Sequence, residues 1–225
     1  MSRLAAPWAL SALIVALFAL WLLLGAGLAP LPPSPLRLWY GDPWGPEGSG
    51  HLLDWYSPSH LIHGPLFFGA LWWLLPRVAL AWRFVIALLV EVAWEVAENS
   101  PVVIDRYRTV TASKDYAGDT VVNSVMDVAA MAAGFWLARR LPAWASVALV
   151  LGLEAFTIWA IRDGLALNVL MLLWPVDAVR DWQAGPRADG LTRRRRAPQA
   201  DAAGAWGRAG RWRRGSGSWA SAGGR

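Results

Sequence analysis

Residues 91–127 read EVAWEVAENSPVVIDRYRTVTASKDYAGDTVVNSVMD, and their reading decides the fold. The stretch starts inside one apolar segment and ends inside the next. Between them it carries Glu91, Glu95, Glu98, Asp105, Asp115, Asp119 and Asp127, with Arg106, Arg108 and Lys114. Ionisable groups set into apolar helices are costly in lipid, so they must face protein, water or a cation. On a helix, Glu91, Glu95 and Glu98 are spaced i, i+4, i+7 and share one face. Asp119, Asn123 and Asp127 repeat the device at i, i+4, i+8 on the helix that follows.

Composition supports a membrane setting. The chain is 56% hydrophobic and only 16% charged, where a soluble domain carries about 25% charge. It has no cysteine, which excludes a disulfide framework, a thiolate zinc site and a cysteine nucleophile. Charge is segregated. Eleven arginines lie from Asp177 onward, whereas acids outnumber bases before it.

Working outward, five apolar segments are expected to span: 8–28, 60–75, 83–98, 121–138 and 143–161. A hydrocarbon core of about 30 Å needs about 20 helical residues. Residues 8–28 are uncharged and end at a proline-rich stop. They are expected to form an uncleaved first helix, the rival being a cleaved signal peptide. Residues 164–179 are expected to be a sixth, tilted span, with a re-entrant segment as the alternative. Pro30–Pro58 reads as a loop, rich in proline and glycine. The transmembrane domain is expected to cover 1–184. Residues 185–225, rich in Arg, Gly and Ala, cannot bury a core and are expected to be disordered. The fold class is therefore an all-α polytopic bundle of five or six spans. Nucleic-acid binding by the basic tail is not expected.

With the N-terminus cytoplasmic, Arg77, Arg83, Arg139, Arg140 and the tail fall inside, as the positive-inside rule asks. The acids then gather at the outer ends of the spans. His60 and His63 open the second span there, and Glu154 and Asn168 lie at a similar depth. Polar groups from several helices thus converge on one outward-facing pocket. Catalytic candidates are Glu91, Glu95, Asp127 and His60. Ligand-binding candidates are Arg106, Arg108, Asp119, Asn123, Arg162 and Asn168, the arginines suiting an anionic headgroup. A divalent cation would fall to His60, His63, Glu95 and Asp127, with His51 and Asp54 nearby. The serines lie in no nucleophile elbow.

The segments GDPWGPEGSGHLLDWYSPSHLIHG, ENSPVVIDRYR, the Ser113–Asp119 motif with NSVMD, and IRDGLALNVLMLLWPVDAVRDWQ resemble a family of bacterial multi-pass inner-membrane proteins of unknown function. The likeness covers residues 8–183 and implies the cell inner membrane, without an activity. A weaker likeness is to VanZ-like membrane proteins, linked to glycopeptide-antibiotic resistance. Their pattern places a His at one helix start, an acid in the next helix, and Asp and Asn one turn apart before a Gly. Here His60 or His63, Glu91 or Glu95, Asn123, Asp127 and Gly134 fill those places, with the Asn and Asp in a different order.

Three functions are compatible with these features. The first is binding or processing of an envelope lipid or lipid-linked polar group in the outward pocket. The second is a structural or assembly protein whose polar network fixes helix packing. The third is a proton or small-solute transporter, disfavoured by the apolar inner halves of the spans.

Overall fold

The computed structural model describes residues 5–111 and 116–185. Its helices are α1 (Ala6–Leu24), α2 (Ser57–Leu74), α3 (Leu80–Glu98), α4 (Pro101–Val110), α5 (Val121–Arg140), α6 (Ala143–Ile161) and α7 (Leu165–Leu173). Another helical stretch begins at Asp177. Among the described residues there is no strand, only an isolated bridge between Trp39 and Leu53. The fold is therefore all-helical, as expected. The expected disordered tail, from residue 186, lies outside the described residues, as do Ser113, Lys114 and Asp115.

Three helices, α1, α5 and α6, are long and apolar enough to cross a membrane. α2 and α3 have 18 and 19 residues, about 27–29 Å at 1.5 Å per residue, but carry the buried polar groups. α1, α3 and α5 share an apolar core of Phe18, Leu22, Phe84, Ala87, Leu88, Val128, Met131 and Phe135.

The tightest pairing is α2 with α5. Small residues explain it. A Cβ added at Gly64 would fall on the backbone of Met131, Gly134 and Phe135. One added at Gly134 would fall on the Leu61 carbonyl. Pro65, inside α2, lacks the N–H that would normally bond that carbonyl. Gly134 thus packs where α2 has an unfilled acceptor. This backbone-to-backbone approach brings the polar starts of α2 and α5 together.

Residues 29–56 form a cap rather than a free loop. Val121 N–H donates to Ala29 O at 3.0 Å, and Val122 N–H to Pro30 O at 3.3 Å. These are first-turn donors of α5 that have no partner within the helix. Thr120 caps α5 by accepting from Asn123 N–H, and its hydroxyl donates to Gly50 O at 2.9 Å.

Two elements depart from the expected layout. Residues 101–110, read as loop, form α4. Ser100 accepts from Val103 N–H and Pro101 starts the helix, the favoured residues at those places. Residues 164–179, expected as a sixth span, form the nine-residue α7 and then a break at Trp174-Pro175. About 14 Å of helix does not match a 30 Å core. Moreover, both ends of the segment stay near one end of the bundle. Gly164 sits against Glu154, Arg106 of α4 donates to Leu172 O, and Gln183 returns to Asp163 at 3.1 Å. The chain after α7 thus folds back to the end of α6.

Candidate functional site

At the cap end of the bundle, α2, α3 and α5 each contribute polar side chains to one buried cluster. α2 starts at Ser57, one turn before His60, so the two histidines occupy its first two turns. Both point at α3. His60 Nδ1 lies 2.8 Å from Glu91 Oε1, and His63 Nδ1 lies 2.9 Å from Glu91 Oε2. One carboxylate therefore gives one oxygen to each ring. Glu95, one turn on, brings Oε1 within 3.3 Å of the same His60 Nδ1. That nitrogen is closer to Glu91, and neither oxygen of Glu95 takes part in a hydrogen bond, although both are shut off from solvent. On the other edge of the His60 ring, Nε2 faces Asp127 Oδ2 at 3.9 Å, too long for a hydrogen bond.

The cap side is held by Asp54, Ser57 and Asn123. Asp54 accepts from Tyr56 N–H at 2.7 Å and Ser57 N–H at 3.2 Å. The Ser57 hydroxyl donates to Asp127 at 3.4 Å. Asn123 donates to His51 O at 2.9 Å and to Asp54 at 3.4 Å. Burial raises the Asp54 carboxyl to about 6, against the hydrogen bond from Tyr56 that lowers it. His51 is buried in the cap beside Tyr40, with Nδ1 accepting from Arg37 N–H. It does not reach the His60 cluster directly.

Asn99 closes the other side. Its amide donates to Asp119, Ser124 and the Glu95 carbonyl, while its oxygen accepts from Asp119 N–H at 2.8 Å. Asp119 precedes the α5 cap Thr120, so it does not share a helical face with Asn123 and Asp127. It joins the network through Asn99 and Tyr116 instead. Burial raises its carboxyl, opposed by those two hydrogen bonds. Glu98, half-buried, lies toward α4; its ligand atoms and those of His60 and Glu95 fall within 4.8 Å of one another.

The arginines do not pair with this cluster. Arg106 donates to Leu172 O, Arg108 to Tyr116 O, and Arg162 to Trp182 O. Arg108 also lies 3.8 Å from Asp105. Glu154 is occupied elsewhere: it accepts from Leu165 and Ala166 N–H and caps α7, to which Asn168 belongs.

A second polar knot ties the returning segment. Asp163 accepts from Gly164 N–H, Gln183 and Tyr56. Burial lifts its carboxyl to about 7, against the Gly164 hydrogen bond. A raised acid binds more protons folded than unfolded. Stability attributable to Asp163 therefore falls as pH rises from about 4 to about 7, by at most about 1.4 kcal/mol per pH unit. Asp163→Asn is expected to flatten that slope. Melting of the two forms in detergent between pH 4.5 and 8 measures it, and parallel curves would refute the assignment.

Asn99, Tyr56 and Gln183 were not singled out from sequence. Asn99 was visible in principle, because Glu91, Glu95 and Asn99 continue one helical face at i, i+4, i+8.

These features define an all-helical bundle, three of whose described helices are long and apolar enough to cross a membrane, with a histidine–carboxylate cluster buried between α2, α3 and α5. The chain belongs to the family described as "Protein of unknown function (DUF2585)", which matches residues 25–185. It is 56% identical over 184 residues to a UPF0314 protein of Paracoccus denitrificans, covering 81% of this chain and 95% of that one. It is 50% identical over 182 residues to a UPF0314 protein of Novosphingobium aromaticivorans, covering 78% and 92%. A UPF0314 protein of Sinorhizobium fredii is 55% identical over 150 residues, covering 67% and 76%. No solved structure matches the chain.

Proposed function

We propose that the protein sits in the cell inner membrane as a multi-pass bundle. In this reading it holds a divalent cation in the His60–Glu91–Glu95 cluster, where it binds or processes a polar group carried by an envelope lipid. One observation carries the cation: Glu95 keeps both carboxylate oxygens buried without a hydrogen bond, Oε1 standing 3.3 Å from His60 Nδ1. A buried carboxylate in that state costs several kcal/mol unless a proton or metal joins it. Two ligands of one ion, with bonds of about 2.1 Å, stand about 3–3.5 Å apart. His60 Nδ1 lies 2.8 Å from Glu91 and 3.3 Å from Glu95, close to that spacing. Asp127 stands 3.9 Å from the far edge of the ring, on the side where a carboxylate lies behind a metal-bound histidine.

The membrane placement is supported by the ends of the helices. Arg77, Arg83, Arg139 and Arg140 lie at the ends of α2, α3 and α5 away from the cluster, which suits a cytoplasmic face there. Exposed Trp72, Trp73, Trp82 and Trp144 share that end, and tryptophan favours the headgroup level. At the cluster end, α4 and α7 present exposed Val102, Leu173 and Trp174, which suits helices lying in the interface. Arg106 and Arg108 on α4 are placed to meet a headgroup there. An apolar floor of Phe84, Leu88, Met131 and Phe135 lies beyond the cluster, which argues against passage of solute to the other side.

The purely structural reading is favoured by the Gly64–Gly134 approach, which locks α2 to α5. It leaves Glu95 unexplained. Metal content of the full chain in native-lipid nanodiscs separates the two. Wild type is expected to retain Mn2+ or Zn2+ after desalting and Glu95→Gln to lose the ion that Glu95 holds. Retention by neither would exclude the cation, and equal retention by both would exclude Glu95 as its ligand. Lipid that co-purifies only with metal-loaded protein would support the lipid assignment, and equal lipid after EDTA would count against it.

A further inference from the structure

We propose that the cluster holds two divalent cations, bridged by Glu91, rather than one; this rests on the cation reading above. The donors fall into two sets. His60, His63 and Glu91 form one, and His60, Glu95 and Glu98 form the other, each with its ligand atoms within 4.8 Å of one another. His60 belongs to both sets, and Glu91 gives Oε1 to His60 at 2.8 Å and Oε2 to His63 at 2.9 Å. A carboxylate that serves two histidines through different oxygens is arranged to bridge two ions about 3.5–4 Å apart.

The first ion takes His60 Nδ1, Glu91 Oε1 and Glu95, with Glu98 at the outer edge. The Glu95 oxygens, buried without a hydrogen bond, are free to be its ligands. The second takes His63 Nδ1 and Glu91 Oε2. Only two protein atoms serve it, so its remaining positions are open to water or to an oxygen of a bound group. The histidines are spaced i, i+3 on α2 and the glutamates i, i+4, i+7 on α3, so two adjacent helices supply every donor. Paired ions in helical bundles are likewise held by inward Glu and His side chains, there drawn from four helices.

Charge supports two ions over one. Asp54, Glu91, Glu95, Glu98, Asp119 and Asp127 surround the two histidines, and none of them has an Arg or Lys ion pair among the described residues. A single divalent ion balances only two of these carboxylates. A second ion balances two more without bringing in a basic side chain. An oxygen shared between the ions would sit where both stabilise developing negative charge, as two-ion sites do for hydrolytic displacement.

The test counts metal per chain and asks whether the ions are neighbours. Full-length protein in nanodiscs is loaded with Mn2+, desalted, and measured by elemental analysis and electron paramagnetic resonance. The expected result is two Mn2+ per chain with a spin-coupled signal. His63→Ala is expected to hold one, with the isolated six-line signal. His63→Gln, closer in size, provides the same reading if the alanine variant folds poorly. One ion in wild type would overturn the pair and leave the single-cation reading standing. No ion would overturn both. Two uncoupled ions, or two that survive His63→Ala and His63→Gln, would place the second ion elsewhere and overturn the bridge.

Discussion

Gly134→Val is expected to prevent assembly of the bundle, lowering folded yield in detergent at least tenfold. The reason is geometric. At Gly134 a Cβ would coincide with the Leu61 carbonyl, and it would also press on Pro65 Cδ at 3.0 Å. A backbone carbonyl has no rotamer to escape into, so α2 and α5 must separate along their closest contact. Overpacking that side chains can absorb costs about 1–3 kcal/mol; here backbone must move, and the cost lies above that range. Separation also pulls Ser57 and His60 away from Asp127, taking the polar cluster apart. Gly152→Val on α6 is the control. Nothing lies within 4 Å of a Cβ there, so size and helix propensity are matched while the clash is absent. Size-exclusion profiles of the two variants measure the difference. Equal monodisperse yield would mean that α2 and α5 do not approach as closely as described.

The contrast between these glycines shows what a sequence can and cannot reveal. Gly134 lies among alanines, a stretch that announces close packing, but nothing in it identifies Leu61 O as the contact. That depends on Pro65 removing a hydrogen bond in another helix. The carboxylates were more legible. In an apolar helix each acid is conspicuous, and the spacing of Glu91 and Glu95 already set them on one face. Their convergence with His60 followed from depth alone. The segment 164–183 was less legible, because an apolar run of that length serves equally for a span or for a hairpin. The deciding contact, Asp163 to Gln183, joins residues that hydropathy does not connect. Likewise α4 is too short and polar to stand out, though Ser100-Pro101 is a good helix start. The arginines were less legible, because nothing in their residue type or spacing shows that Arg106 and Arg162 reach backbone carbonyls across the fold.

Glu95→Met is expected to stabilise the metal-free protein and destabilise it relative to wild type once metal is added. The Glu95 side chain makes no hydrogen bond, so its removal strands no partner. Methionine has similar length and flexible packing, and the site is fully buried. Replacing a buried polar group that has no hydrogen bond with an apolar side chain of like volume gains about 1–3 kcal/mol. With EDTA present, the variant should therefore melt about 5 °C above wild type, taking about 2 kcal/mol and the usual scaling for chains of this size. Metal reverses the order. A ligand at 100 times its dissociation constant stabilises the form that binds it by about 2.7 kcal/mol, and the variant has lost a donor of the first ion. The informative quantity is the crossing of the two melting temperatures between EDTA and excess Mn2+. A structural carboxylate predicts the opposite pattern, with the variant less stable under both conditions, because a partner would then lose its hydrogen bond. A group kept neutral by a proton predicts a gain that metal does not alter. Of the three patterns, only the crossing makes Glu95 a residue retained at a cost to the fold for the sake of an ion.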